Sequence, residues 1–174
     1  MATGTIVLPI GAATPPDGTS GNIAPAIQQG KSSASSPTPH HLEAAFDAAV
    51  EEQLQWSFRM PQDYASAPVL KVQYKMASAT TLEVIIASRI AAVSDGDSQD
   101  VDANAFGTVN TSSAITVPGT VGHLDEISLA LSNADSLAAG DFIILLLARD
   151  ADASGDDATG DMEVVAVSLE YTTS

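Results

Sequence analysis

The chain has 174 residues, of which 45% are hydrophobic and 5% aromatic, and its formal net charge is −16. It contains no cysteine, which excludes disulfide bridges, thiolate metal ligands and thiol nucleophiles. The acidic balance argues against binding to nucleic acid or to an anionic membrane, because like charges repel phosphate. It is typical of a solubilising surface.

The N-terminal segment differs in composition from the rest of the chain. Residues 1–40 contain six of the nine prolines, five of the twelve glycines and two charged side chains. Such a segment buries too little apolar surface to fold alone, because ordering each residue costs about 1–2 kcal/mol. We therefore predict an extended arm over residues 1–38, laid on a neighbouring molecule, and one β domain over residues 39–174. The start lacks a basic region before its short apolar run, so no targeting signal is predicted.

The arm contains one segment with strand-like composition, residues 5–10, and a milder apolar stretch at residues 22–29. An exposed apolar strand flanked by glycine and proline can add to the sheet edge of another protein. The predicted partner-binding residues of the arm are Ile6, Val7, Leu8, Ile10, Ile23 and Ile27. His40 and His41 follow at the junction with the domain and are interpreted as polar hinge residues.

Residues 42–54 leave two structures open. Apolar side chains recur there every four residues, which is compatible with a helix. From Leu54 to Met60, however, apolar and polar residues alternate strictly, as in a half-buried strand. Local propensity therefore leaves helix and strand equally open before residue 54.

Period-two patterns predict strands through the rest of the chain. They cover residues 54–60, 70–76, 82–93, 124–131 and 162–171, while a β-branched run predicts a strand over residues 112–117 and a continuous apolar run predicts one over residues 142–147. Seven to nine short strands separated by turn signals are typical of a β-sandwich or jelly roll. The predicted fold class is all-β, an antiparallel jelly-roll sandwich with an extended N-terminal arm. Trp56, Phe58 and Tyr74 fall at period two and are predicted on a core face rather than on a sugar-binding platform.

The strand over residues 142–147 is apolar on both faces. A central strand or a subunit contact has this pattern. The side chains predicted to form an oligomer interface are Phe142, Ile144 and Leu146.

Two acidic loops, residues 95–102 and 150–161, are candidate Ca²⁺ ligands because hard cations prefer several oxygens. Neither loop matches an EF-hand, and tight turns use Asp and Gly for conformational reasons. No metal and no other cofactor is predicted, although Ca²⁺ at these loops stays open. His123 lies near two carboxylates, but no nucleophile motif accompanies it, so no catalytic residue is predicted.

Several segments resemble virion structural proteins of tailed bacteriophages. The likeness covers about residues 39–173 and is carried by residues 53–61, 72–77, 135–141, 147–152, 160–161 and 167–171. Proteins of this group are jelly rolls that assemble as trimers and serve as capsid decoration (cement) proteins or as heads of short fibres. The resemblance favours a strand over residues 42–47 and a turn over residues 48–52.

The arm and the resemblance together imply a non-enzymatic bacteriophage virion structural protein, made in the host cytoplasm. It would decorate and stabilise the capsid as a homotrimer anchored by its arm. The expected partners are copies of itself and the major capsid protein or other virion proteins, with no nucleic acid and no membrane. The alternative is a fibre-head or tail-associated module that binds host surface glycan, and deletion of residues 1–38 is expected to separate the two.

Overall fold

The computed structural model describes residues 2–96 and 98–174, which form twelve strands and one 3-10 turn, Ile10–Ala12. The strands are β1 Thr3–Val7, β2 Ala26–Lys31, β3 His40–Phe46, β4 Glu52–Arg59, β5 Tyr64–Met76, β6 Glu83–Val84, β7 Ile86–Val93, β8 Asn110–Thr111, β9 Ile115–Thr116, β10 Asp125–Ala130, β11 Phe142–Arg149 and β12 Met162–Thr173. Within these residues, no helix has the length and apolar character that a membrane crossing requires.

The strands form two main sheets whose inner faces share one core. The larger sheet has the order β10-β5-β12-β3-β2, with β1 also paired to β12, and the smaller has the order β4-β11-β7-β8. A separate two-stranded ladder joins β6 and β9. The paired rows β10-β5-β12-β3 and β4-β11-β7-β8, all antiparallel, are the strand arrangement of a jelly roll. The predicted fold class, an antiparallel jelly-roll sandwich, is confirmed.

Period-two alternation sets which side chains enter the core. On β5, Leu70 and Val72 are fully buried, while the intervening Lys71 faces outward. On β11, Ile143 and Leu145 fill the core from the other sheet. The predicted core aromatics follow the same rule: Trp56 and Tyr74 are buried, and Phe58 packs against the core.

The ambiguous segment before residue 54 is a strand, a turn and a second strand. β3 ends at Phe46, which is fully buried together with Ala44. The Asp47 carboxylate accepts a hydrogen bond from the Ala49 amide at 2.6 Å, and the Glu52 carboxylate accepts one from the Asp47 amide at 2.7 Å. These side-chain bonds favour a turn over a helix. The turn therefore falls where the resemblance predicts it.

The N-terminal segment lies on its own domain, whereas the sequence predicts that it lies on a neighbour. β1 pairs with β12 from Thr3↔Thr172 to Val7↔Ser168, and β2 pairs with β3. The Trp56 indole donates a hydrogen bond to the Pro9 carbonyl at 2.9 Å. The domain therefore supplies the segment with a strand to pair with and a core to enter.

This placement corrects two predicted partner-binding residues. Leu8 and Ile10 are 3% and 4% exposed and belong to the core, so they are not available to a partner. Val7 is 70% exposed and Ile27 is 43% exposed. Ile6 and Ile23 are half-buried. Partner binding by these last four residues stays a prediction.

A buried arginine fixes the turn between β11 and β12. The side chains of Arg149 and Asp156 are both fully buried, and Nη2 donates to Oδ1 at 2.7 Å. The guanidinium also donates to the carbonyls of Ala158 at 2.6 Å and Gly160 at 2.8 Å. The second Asp156 oxygen accepts the Ile85 amide at 2.9 Å. The turn is therefore held against the body of the sandwich.

Replacing Leu8 by Ala is expected to lower the free energy of unfolding by about 2–5 kcal/mol, because the change leaves a cavity in the core. Val7→Ala is the matched control on the neighbouring residue, with an expected change of about 0.5 kcal/mol or less because its side chain is exposed. Urea unfolding of both variants measures the difference. Equal, small effects would mean that the N-terminal segment does not contribute to the core.

Replacing Arg149 by Met is expected to cost about 3–5 kcal/mol, because the Asp156 carboxylate stays buried without a counter-charge. The matched control is Asp152→Asn in the same turn, where the side chain is exposed and the expected change is about 0.5 kcal/mol or less. Chemical denaturation at neutral pH measures the free energy of unfolding of both variants. A variant as stable as the control would contradict this role of the arginine.

Candidate functional site

A wide groove of about 680 Å³ opens on the outer face of the six-stranded sheet. Its lining residues are Lys31, Ser32, Ser33, Pro39, His41, Lys75, Gly122, Leu124 and Val165. One wall is the connection between β2 and β3, and the other is the segment before β10. Leu124 is 63% exposed and gives the groove an apolar surface. An apolar concavity with a few convergent polar groups is the usual form of a ligand site.

A network of charged side chains lies beside the floor of this groove. The Lys75 ammonium is 2.9 Å from a Glu43 carboxylate oxygen and also pairs with Glu163. The His41 imidazole is 2.9 Å from the same Glu43 oxygen, and the Gln28 amide donates to the other one at 3.0 Å. The Glu43 side chain is 4% exposed. Each polar group is therefore held in position by another.

The ion pairs shift the pKa values of both main partners towards their charged forms. Burial alone would raise the pKa of Glu43, but the hydrogen bonds from Lys75, Gln28 and His41 outweigh it, so this pKa lies below its ordinary value. Burial would likewise lower the pKa of Lys75, yet its hydrogen bonds to Glu163 and Glu43 raise it. Both groups are charged at neutral pH.

Strand register explains how distant residues meet here. Glu163 lies opposite Lys75, and Gln28 lies opposite Glu43. Gly30 lies opposite His41, and a side chain at Gly30 would overlap the His41 ring and the Glu43 carboxylate. The glycine therefore leaves room for both side chains to lie across β2.

The sequence prediction missed this groove. His41 was expected at a hinge, whereas the structure places it in β3 and in the network. The outward positions of Lys75 and Glu163 are visible in the period-two pattern. Their proximity depends on the strand order, which the pattern does not contain.

A second surface is the outer face of the smaller sheet, which we call the arginine face. Its outward side chains are Gln53, Gln55, Ser57 and Arg59 of β4, Phe142, Ile144, Leu146 and Ala148 of β11, and Ala87, Arg89, Ala91 and Val93 of β7. The three predicted oligomer-interface residues all lie on it. Phe142 is 39% exposed and Ile144 is half-buried.

Leu146 is an exception among the predicted interface residues. Its side chain is 7% exposed, because Phe106 and Val109 of the segment between β7 and β8 pack against it. Leu146 is therefore covered by its own chain and is not available to another subunit. Contacts of Phe142 and Ile144 with a partner stay a prediction.

The acidic loops serve as hydrogen-bond acceptors where the structure describes them. Asp156 binds Arg149, Asp157 accepts the Glu83 amide at 2.9 Å, and Asp100 accepts the Asp102 amide at 3.0 Å. Asp97 lies outside the described residues. Across residues 2–96 and 98–174, no group of three or more His, Asp or Glu side chains is placed to hold a metal ion.

His123 does not enter a catalytic arrangement in the described part of the chain. It lies in the segment before β10 and is exposed. Its backbone amide donates to the Thr120 carbonyl at 3.2 Å, which fixes the local turn. The side chain is thus presented to solvent at the edge of the groove region.

No family model matches the chain, and no curated protein matches it. Among solved structures, a CBM35 module from Cellvibrio japonicus is 11% identical, with a TM-score of 0.49 over 98% of this chain and 99% of that one. A family 35 carbohydrate-binding module from Clostridium thermocellum is 11% identical, with a TM-score of 0.45 over 95% and 97% of the two chains.

A chain from infectious bursal disease virus, Gx strain, is 8% identical, with a TM-score of 0.44 over 99% of this chain and 32% of that one. These similarities are weak in both sequence and superposition. The fold assignment therefore depends on the strand order of this protein itself, and no function is transferred from these structures.

Replacing Lys75 by Met is expected to lower the free energy of unfolding at pH 7 by about 1–3 kcal/mol, because the Glu43 carboxylate loses its cationic partner. The folded-state pKa of Glu43 is lowered, so its stabilisation is present above the unfolded value of 4.5 and is lost as the pH falls through the folded value. The difference in the free energy of unfolding between wild type and Lys75→Met should therefore become smaller at acidic pH.

Urea unfolding at pH 7 and at low pH measures this effect. Lys71→Met is the control on the same face, because Lys71 pairs with the more exposed Glu126 and Glu170. We expect it to cost less than about 1 kcal/mol. An equal loss in the two variants, or a loss that does not depend on pH, would contradict the network.

Proposed function

We propose that this protein is a non-catalytic module of a bacteriophage virion, at a fibre head or on the tail, that binds host surface glycan in the groove. The observation that carries the proposal is the groove above the ordered network of His41, Glu43 and Lys75. Its polar groups are fixed before any ligand arrives, so binding costs little side-chain entropy.

The groove offers the chemistry that a saccharide requires. Sugar hydroxyls both donate and accept hydrogen bonds, and the groove presents an imidazole at His41, an ammonium at Lys75 and the hydroxyls of Ser32 and Ser33. The exposed Leu124 gives an apolar contact for the C–H face of a sugar ring. The open shape suits an extended polymer, since both ends of the chain can leave the groove.

Anchoring to a capsid by an extended arm has less support. That mechanism needs apolar side chains that are free to bind a neighbour. Leu8 and Ile10 are instead part of the core, and the Pro9 carbonyl between them is held by Trp56. These contacts of the N-terminal segment with its own domain leave fewer apolar side chains for binding a capsid.

The second candidate is capsid decoration as a homotrimer without arm exchange. The exposed aromatic ring of Phe142 and the neighbouring Ile144 favour it, because apolar side chains on an outer sheet face are typical of an interface. In this case the partner would be the major capsid protein, and the location would be the capsid surface.

The glycan proposal is tested with the full chain on an array of bacterial surface polysaccharides. We expect wild type to bind and Leu124→Asp to bind at least tenfold more weakly, because a hydrated carboxylate replaces the apolar contact for the sugar ring. Val50→Asp is the matched control, since Val50 is 40% exposed and lies outside the groove. No binding by wild type, or equal binding by Leu124→Asp, would overturn the proposal.

A further inference from the structure

We propose that the groove binds saccharides that carry an anionic group, a carboxylate or a phosphate, and that Lys31 pairs with this group. The inference rests on the proposed function, because it names the class of glycan that the same groove takes. Among the described residues, the nine that line the groove include no Asp or Glu, although the chain has 22 acidic residues. Two of the nine are lysines and one is a histidine.

Lys31 is a cation that its own chain does not neutralise. It is the last residue of β2 and is exposed. Across residues 2–96 and 98–174, no carboxylate oxygen lies within 4.0 Å of its ammonium, whereas Lys71 and Lys75 both form ion pairs. An ammonium is a compact charge that forms strong hydrogen bonds with carboxylate and phosphate oxygens. Lys31 is therefore available to an anionic group in the groove.

The carboxylates of the neighbouring network lie below the surface that a ligand contacts. The side chains of Glu43 and Glu163 are 4% and 14% exposed, and that of His41 is 44% exposed. Neither carboxylate lines the groove, whereas His41 and Lys75 do. A ligand therefore contacts nitrogen atoms, and the negative charges beneath hold these nitrogen atoms in place.

The network also leaves polar atoms for the ligand. An ammonium has three N–H groups, and Lys75 uses two of them for Glu43 and Glu163. Glu43 is ionised at neutral pH and only accepts hydrogen bonds, so the His41 Nε2 atom donates to it. Nδ1 of the neutral His41 ring is then an acceptor for a sugar hydroxyl. The groove can thus bind the hydroxyls of a sugar ring and its anionic group together.

Two smaller cavities that contain a cation differ from the groove. Arg59 shares a cavity of about 460 Å³ with Asp95, and Lys71 shares one of about 190 Å³ with Glu126. A carboxylate in the lining repels an anionic ligand and attracts the cation to itself. The groove combines two lysines with a lining free of carboxylates, so it is the better site for an anion.

The net charge of −16 limits which anionic ligands the chain can accept. At physiological ionic strength, salt screens charges that are more than about 8 Å apart. The charges of the groove therefore act on a bound group more strongly than the distant acidic surface does. A long polyanion that spreads over the protein is repelled, but a saccharide that is confined to the groove contacts the lysines.

The test compares acidic bacterial surface polysaccharides with neutral derivatives of the same polymers. Carboxyl groups are reduced to alcohols in one set, and phosphate groups are removed in the other. We expect the full chain to bind an acidic polymer and to bind its neutral derivative about tenfold more weakly, because a charge-assisted hydrogen bond is lost. The set in which affinity falls identifies the anionic group as carboxylate or phosphate.

Lys31→Met tests the assigned residue. We expect it to bind the acidic polymer about tenfold more weakly and the neutral derivative as wild type does, because only the charge pair is lost. Lys71→Met is the control, since it removes a lysine from the same sheet outside the groove and should change either affinity less than about twofold. Circular dichroism establishes that both variants are folded.

Equal binding of an acidic polymer and its neutral derivative by wild type overturns the inference and leaves the proposed function intact. Unchanged binding of the acidic polymer by folded Lys31→Met does the same. A wild type that binds no polysaccharide overturns the proposed function and this inference together, so the two failures are distinguishable.

Discussion

The buried ion pair of Arg149 and Asp156 joins the two sheets at one end of the sandwich. Arg149 comes from β11 of the smaller sheet, while the Gly160 carbonyl that it binds precedes β12 of the larger one. Removing two charges from water is costly, and the pair is tolerated because further hydrogen bonds satisfy the remaining donors. The start of β12 is thereby fixed, and Glu163 in this strand pairs with Lys75 beside the groove.

Patterns within single strands predicted the fold well, because alternation depends on local sequence alone. β5 follows its alternating apolar positions, and β11 matches a run that is apolar on both faces, so the main strands of the jelly roll were expected. The N-terminal segment could not be predicted in this way. Its burial depends on the sheet edges and the core that the rest of the chain offers, and Leu8 and Ile10 are too few to give a periodic signal.

The sequence did not predict the candidate site, and the reason is different. His41, Glu43, Lys75 and Glu163 lie on three strands that are distant in the chain and adjacent in the sheet. The pattern within one strand predicts on which face of the sheet each side chain lies. It does not predict the order of the strands. The same limit applies to Leu146. Its position in β11 places it on the outer face of the smaller sheet, but Phe106 and Val109 of another segment cover it.

The groove and the arginine face lie on opposite outer faces of the sandwich. A substitution on one of these faces therefore leaves the side chains of the other face in place. β2 contributes Lys31 to this groove, and its Gly30 makes room for His41. Deletion of residues 1–38 would therefore remove a groove wall together with core contacts. Such a deletion cannot distinguish capsid anchoring from glycan binding, whereas point substitutions at Leu124 and Arg59 act on one face at a time.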